Sequence, residues 1–513
     1  MALLFTKINS CGLWGIDGFM VTVEAHLSNG LPRVSLVGLP DASVKESMER
    51  VHSALVSCGF SFPARHITIN LAPADIRKEG PIYDLPILLT LLCADGFLDY
   101  EKLECCAFLG EVSLDGHIRP VRGCLPMTIT AMEQGMEAIF LPAENAREAS
   151  AIRGIQVYGV HTVSDLIAHL TGQKLLSPMP QLHLPQDDEQ SSLDFCHVKG
   201  QQAAKRGAVI AAAGFHNLLF IGSPGSGKSM IAKRMGTILP PMEFSEMLDT
   251  TRIHSVAGLT TDQSPLVTQR PFRSPHHSIS FSGLAGGGSV PRPGEVSLAH
   301  NGILFLDELP EFAKNALEVL RQPLEDGTVT ITRASGSMTY PCDFMLICAM
   351  NPCRCGYFGH PTRECTCPPG DIRRYISRIS GPLLDRIDLH IEVPPVQFED
   401  LASGAPDPCS SAVMREQVMI ARQMQQERFA GTSIRFNSRI GSDMLDEFCP
   451  MDADVRELLR SAFTRLNLSA RAYTKIVKVA RTIADLSESK DIRKEHILEA
   501  IQYRTLDRKY WDR

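Results

Sequence analysis

The sequence predicts an α/β chain in three parts: an α+β N-terminal region, a central module built on a parallel sheet with helices on both faces, and a helical C-terminal region. Three observations predict it. Short strand-like runs alternate with helical stretches over residues 1–172. Over 196–395 the strands read as continuous apolar runs, as in a sheet covered on both faces. From Ser411 onward, apolar residues recur at helical spacing.

In the first part VTVEAHL, RVSLVGL, HITINLA, AFLGEVS and AIFLP read as strands, and DASVKESMERVHSALVSCG as a helix. The most apolar stretch, LPILLTLLCADGFL, is too short and interrupted to span a bilayer, so it reads as a buried helix and no membrane contact is expected. Residues 173–195, rich in Pro, Gln, Asp and Ser and without periodicity, read as a linker. A second break covers 396–410. In the third part, 411–513, DVRELLRSAFTRL and ARAYTKIVKVARTIADL are amphipathic helices.

At 513 residues the chain is too long for one core. Its net charge of −7 argues against a coat of basic residues for nucleic acid, yet leaves room for local basic loops. The N-terminus has no basic segment followed by a long apolar run, so no secretory signal is expected. With fifteen cysteines, this points to a reducing cytoplasm and mostly free thiols.

The strongest local signal is LLFIGSPGSGKSM. An apolar strand runs into Gly222, Ser223, Pro224, Gly225, Ser226, Gly227, Lys228 and Ser229, and a helical run follows. Glycines let backbone amides turn inward around phosphate oxygens at a helix N-terminus. Lys228 would reach the β and γ phosphates of ATP, and Ser229 would complete a Mg²⁺ shell. Downstream, GILFLDELPEF is a buried strand ending in Asp307, which would sit beside the Mg²⁺, and Glu308, which could polarise a water. FMLICAMNP ends in Asn351, read as a γ-phosphate sensor or as a turn-forming Asn before Pro352. Arg386, in SGPLLDRIDLHIEV, suits an arginine supplied in trans to a neighbour's phosphates; the other reading is a salt bridge to Asp385 or Asp388. Arg471, in LSARAYTKIV, is a second phosphate-facing candidate or a solvated helix residue.

The segment NPCRCGYFGHPTRECTCPP places Cys353, Cys355, Cys365 and Cys367 in the spacing C-x-C-x₉-C-x-C. Four thiolates can complete a tetrahedral zinc shell, with His360 a possible substitute for one ligand. A redox switch and a loop of reduced, unligated thiols are the other readings.

Phosphate loop, LFLDE, Asn-tipped strand, LLDRID and lid ARAY together resemble the AAA+ ATPase branch that contains magnesium-chelatase subunits and minichromosome-maintenance helicases. RPFRSPHHSISFSGLAGGGSVPRPGEVSLAHNGILFLDE, PLEDGTVTITRASGSMTYP and SGPLLDRIDLHIEV resemble the ComM/YifB proteins, the Mg-chelatase-like ATPases of bacteria. The resemblance implies a homo-hexameric ring driven by ATP hydrolysis, with DNA through its centre and recombination proteins as partners. The implied activity is branch migration of recombination intermediates during natural transformation. Two segments would then face the ring centre. SISFSGLAGGGSV (278–290) reads as a mobile Gly- and Ser-rich loop presenting Phe281 to DNA. GTVTITRASGSMTYP reads as a β-hairpin turning at Ala334 to Ser337. Arg333 near its tip is a DNA-phosphate contact or a solvated turn residue. Six copies meeting one substrate reconcile an acidic chain with DNA.

RKEGPIYDLPILLTLL and GHIRPVRGCLPMTITAMEQGMEAIFLP resemble the proteolytic domain of Lon, a ribosomal S5 domain 2-like fold. Where that family carries its serine and lysine, this chain has Ile82 and Met127. Without a hydroxyl and its base there is no acyl transfer, so a protease is not expected. Two readings from different classes stay open: a DNA motor, and a chelatase-like motor that remodels a protein partner.

Overall fold

The computed structural model describes residues 5–182, 192–288, 291–333, 336–398, 407–466 and 468–511. The chain forms two compact units. The first comprises Met1–Gln186, Phe244–Thr268 and Thr332–Tyr340, and the second Asp187–Glu243, Gln269–Ile331 and Pro341–Arg513.

The first unit is built on a seven-stranded sheet of β1 (Phe5–Trp14), β2 (Asp17–Ser28), β3 (Arg33–Val37), β4 (His66–Ala72), β5 (Cys106–Phe108), β6 (Ala138–Pro142) and β7 (Gln156–Val160), in the order β3-β4-β2-β1-β5-β6-β7. β1 and β4 run antiparallel to β2; the other pairings are parallel. Alternation sets the core face: Val21, Val23, Ala25 and Leu27 of β2 are buried, as are Ile67, Ile69 and Leu71 of β4. The helix Asp84–Ala94 is buried along its whole length, as its unbroken apolar run predicts. At its first turn the buried Asp84 receives Arg50 Nε at 2.7 Å and the Val112 amide at 3.2 Å. Ile82 and Met127 lie within this core.

Contacts reach across the expected boundaries. Residues 173–182 are not a free linker: Leu176 and Met179 pack on the first core, and the Met179 amide donates to Val157 O at 2.7 Å. Phe195, at the expected linker end, is fully buried in the second core. The segment Phe244–Thr268, expected within the ATPase module, belongs to the first unit. Its helix Phe244–Ala257 supplies Ser255, whose hydroxyl and carbonyl accept or donate to that unit: Ser255 Oγ donates to the buried Glu148 at 2.9 Å, and Ser255 O accepts from the Gly123 amide at 3.1 Å. Met247 and Leu248 close a small apolar cluster with Leu125, Ile152 and Leu266.

The second unit carries a five-stranded sheet of β8 (Leu218–Ile221), β9 (Phe272–Arg273), β10 (Ile303–Leu306), β13 (Met345–Met350) and β14 (Leu389–Glu392), in the order β9-β10-β13-β8-β14 and parallel throughout. β11 (Thr328–Arg333) and β12 (Gly336–Pro341) form a separate two-stranded sheet. The helices Ser411–Arg428, Ala453–Leu466, Ala470–Leu486 and Lys494–Gln502 share one apolar core with the five-stranded sheet. A buried ion pair ties them to it. Lys475 Nζ is 2.6 Å from Asp388, which also accepts the Asn217 amide at 2.9 Å. Burial alone would raise the Asp388 carboxyl, but the Lys475 charge and His216 outweigh it and hold Asp388 well below the usual carboxylate range. The end of the second break is also anchored, through a buried Lys205–Asp407 pair at 2.6 Å. Among the described residues no helix is long and apolar enough to cross a membrane.

Candidate nucleotide site

The parallel sheet positions the site. β8, β10 and β13 are neighbours, so their C-terminal ends deliver the phosphate loop, Asp307–Glu308 and Asn351 to one edge. Gly225 and Gly227 have φ of +77° and +97°, and a Cβ added to either would meet nothing within 4 Å, so the backbone curls around open space.

Lys228 opens the following helix, Lys228–Arg234, and is largely buried. Its Nζ donates to Gly222 O at 2.8 Å, Ser223 O at 2.9 Å and Asn351 Oδ1 at 3.1 Å. All three acceptors are neutral, so the ammonium is hydrogen-bonded without being neutralised. Burial pushes it down to about 8, with Asp307 opposing. A buried cation satisfied in this way favours an anionic ligand.

Ser229 Oγ donates to Asp307 Oδ2 at 2.6 Å, and Asp307 Oδ1 accepts the Glu308 amide at 2.9 Å. A hydroxyl and a carboxylate this close are oxygen donors suited to Mg²⁺, which prefers few protein oxygens. Glu308 takes a left-handed backbone, φ +54°, and its half-exposed carboxylate lies 3.4 Å from His277 Nδ1. His277 was missed in the sequence reading. Its signal was the HH pair of RSPHHSISF, which carries no spacing of its own.

Arg386 lies in the loop before β14. It pairs with Glu325 and donates to Pro382 O, not to Asp385 or Asp388 as the salt-bridge alternative had it. The reason is geometric: Asp388 is already committed to Lys475 and the Asn217 amide, and Asp385 lies 3.6 Å from Arg471. Arg386 Nε has no partner among the described residues. Arg471 sits in the first turn of Ala470–Leu486 and is mostly exposed, so its ion pair is weak.

Residues 278–288 depart from the expected mobile loop, and 289–290 lie outside the described residues. Ser280 caps a short helix, Phe281–Ala285, and Gly286–Gly287 pairs with Arg292–Pro293. Leu284 and Ala285 are buried, which fixes the segment, while Phe281 remains half exposed. Arg333 closes β11, but its side chain, like the turn at Ala334–Ser335, lies outside the described residues. Cys353, Cys355, Cys365 and Cys367 converge, their sulfurs all within 4.8 Å of one another. His360 does not join them; its Nδ1 accepts the amides of Thr362 and Arg363 at 3.2 and 3.0 Å.

Comparison with known proteins matches residues 194–401 to the family described as magnesium chelatase, subunit ChlI. Residues 23–145 match subunit ChlI of Mg-chelatase, and 408–504 its C-terminal region. The competence protein ComM of Haemophilus influenzae is 42% identical over 499 residues, covering 96% of each chain. The YifB protein of Salmonella typhimurium is 42% identical over 496 residues, again 96% of each. The chain belongs to the ComM/YifB family. As such it is an AAA+ ATPase with a helical C-terminal region. The Lon protease of Azospirillum brasilense is 23% identical over 166 residues, 30% of this chain and 20% of that protein, in line with a Lon-like N-terminal fold. Ile82 and Met127, which the sequence resemblance sets against the Lon serine and lysine, are both buried.

Proposed function

We propose that this ComM/YifB chain is an ATP-driven, hexameric DNA motor that moves branched recombination intermediates, in natural transformation and in the cytoplasm. The observation that carries the DNA half is the near-full-length match to a protein named for competence. The half-exposed Phe281 and the β11–β12 ribbon, with Arg333, supply sequence-independent DNA contacts. Recombination proteins are the expected partners.

At the nucleotide site, Lys228 and the amides of Gly222 to Ser229 hold the phosphates, and Ser229 and Asp307 hold Mg²⁺. When bound, the ion offsets charge on the β and γ phosphates. Glu308 orients a water and takes its proton, and His277, 3.4 Å away, holds the carboxylate in place until then. Asn351, bonded to Lys228, reads the γ-phosphate. Arg386 exchanges Glu325 for a neighbour's phosphate, for which its incompletely satisfied guanidinium is suited. Arg471 serves the same phosphates from the lid. The four cysteines are a structural zinc site.

A second reading is favoured by the three magnesium-chelatase matches: a motor that remodels a protein partner. ATP turnover with and without four-way DNA separates the two, alongside junction migration by the natural chain and by Lys228→Ala. The DNA motor requires DNA-stimulated turnover and migration abolished in Lys228→Ala. Turnover indifferent to DNA, with no junction moved, favours the partner reading.

A further inference from the structure

Residues 351–369 link the tip of β13 to the helix Pro369–Ile376, and the four cysteines draw this link into a knot. Cys353 Sγ lies 3.3 Å from Cys355 Sγ and 3.7 Å from Cys365 Sγ, and Cys355 Sγ lies 3.5 Å from Cys365 Sγ. The Cys355 amide donates to Cys367 Sγ at 3.4 Å. A single zinc ion, about 2.3 Å from each of four sulfurs, sets the edges of its tetrahedron at about 3.8 Å. The three separations among Cys353, Cys355 and Cys365 fall just inside that edge, and all four sulfurs lie within 4.8 Å of one another, so shifts of about an ångström or less bring them onto it. A disulfide needs about 2.05 Å, well inside these separations. An iron–sulfur cluster places several atoms between its ligands and needs a wider spread.

What the knot holds is a wall of the nucleotide cavity. Residues 356–364 are the loop between Cys355 and Cys365. A Cβ on Gly356 would lie 2.4 Å from Pro224 Cδ, so this backbone rests directly on the phosphate loop. Tyr357 and His360 line, with Ser223, Gly225 and Gly227, a cavity of about 360 Å³. Tyr357 is braced from within the same loop: the Arg363 guanidinium lies 3.9 Å over its ring and donates to its Oη at 2.7 Å. The sensor Asn351 is two residues before Cys353.

We infer that Cys353, Cys355, Cys365 and Cys367 bind one zinc ion, and that this ion fixes the Tyr357–His360 wall, making nucleotide affinity depend on metal occupancy. The second half rests on the nucleotide reading above; the first half does not. Without the ion, only weak sulfur hydrogen bonds hold the four thiols together, and the loop is released from Pro224.

The test uses the full chain, purified without chelator. Metal content is measured for the natural protein and for Cys365→Ser, Cys367→Ser and Tyr357→Ala, with circular dichroism confirming that each is folded. A fluorescent ATP analogue reports affinity. One zinc per natural chain is expected, lost in both cysteine variants and kept in Tyr357→Ala. Affinity should weaken by about tenfold in all three, the scale of losing one positioned contact. If the cysteine variants do not fold, cobalt exchanged into the natural protein replaces them, and a tetrathiolate charge-transfer spectrum is expected. Less than about half a zinc per folded chain, zinc retained in the cysteine variants, or an octahedral cobalt spectrum would overturn the metal site. Unchanged affinity in a folded, zinc-free variant would overturn the coupling. No nucleotide binding by the natural chain would defeat the nucleotide reading and the coupling together, while the zinc count still decides the metal site.

Discussion

Lys228 combines three neutral acceptors with an ammonium whose proton is held weakly, at about 8. A depressed lysine is charged below that value and neutral above it. Binding a polyanion favours the charged form, so free-enzyme affinity should fall as pH rises through about 8, approaching tenfold per pH unit above it. Equilibrium binding of the ATP analogue at about pH 7 and about pH 9 checks this, and a flat profile would remove Lys228 from the phosphate contacts. Glu308 is expected to act differently. Glu308→Gln should leave affinity intact while lowering turnover by about 10²–10⁴-fold, the range for losing a general base. His277→Ala should change turnover and leave affinity, since His277 acts through Glu308 and Lys228 holds the phosphates; binding and single-turnover measurements separate the two effects.

Among elements, the C-terminal helices depend on polar ties as well as apolar packing. Lys475 sits on Ala470–Leu486 and neutralises Asp388 at the start of β14. Lys475→Met would leave the buried carboxylate with His216 and one amide, and should cost on the order of 3 kcal/mol in unfolding free energy. Denaturant unfolding of the variant measures it; a loss below about 0.5 kcal/mol would mean that the pair behaves like a surface ion pair. The helix Asp84–Ala94 was legible in the sequence because an unbroken apolar run has only one place to go. The helix Phe244–Ala257 was not assignable to the first unit. Its docking rests on Ser255 meeting a buried Glu148 far along the chain, a contact with no local signature.

At the scale of the whole molecule, the proposal of a ring makes Arg386 a shared residue. Mixing Arg386→Ala chains with Lys228→Ala chains creates interfaces where an intact Lys228 faces an intact Arg386. Activity should reappear in the mixture although each variant alone is inactive, and a mixture as inactive as its parts would confine Arg386 to its own chain. Glu325→Gln, which removes the resting partner without touching the arginine, should leave this complementation in place.

The sequence by itself determined the elements whose chemistry is local. An eight-residue phosphate loop needs its glycines and lysine in order, and a strand buried on both faces must be apolar throughout, so the loop, Asp307, Glu308 and Asn351 could be read directly. The four cysteines were legible as a cluster for the same reason. Only the tertiary structure decided which distant groups meet them. It paired Glu308 with His277 and Arg386 with Glu325, turned His360 inward to its own loop, and set Gly356 against Pro224. It also folded the Gly-rich segment around the buried Leu284 and carried Phe244–Thr268 into the first unit. Those outcomes depend on which partner is left over once stronger pairings are made, and that competition is settled across the fold rather than along the chain.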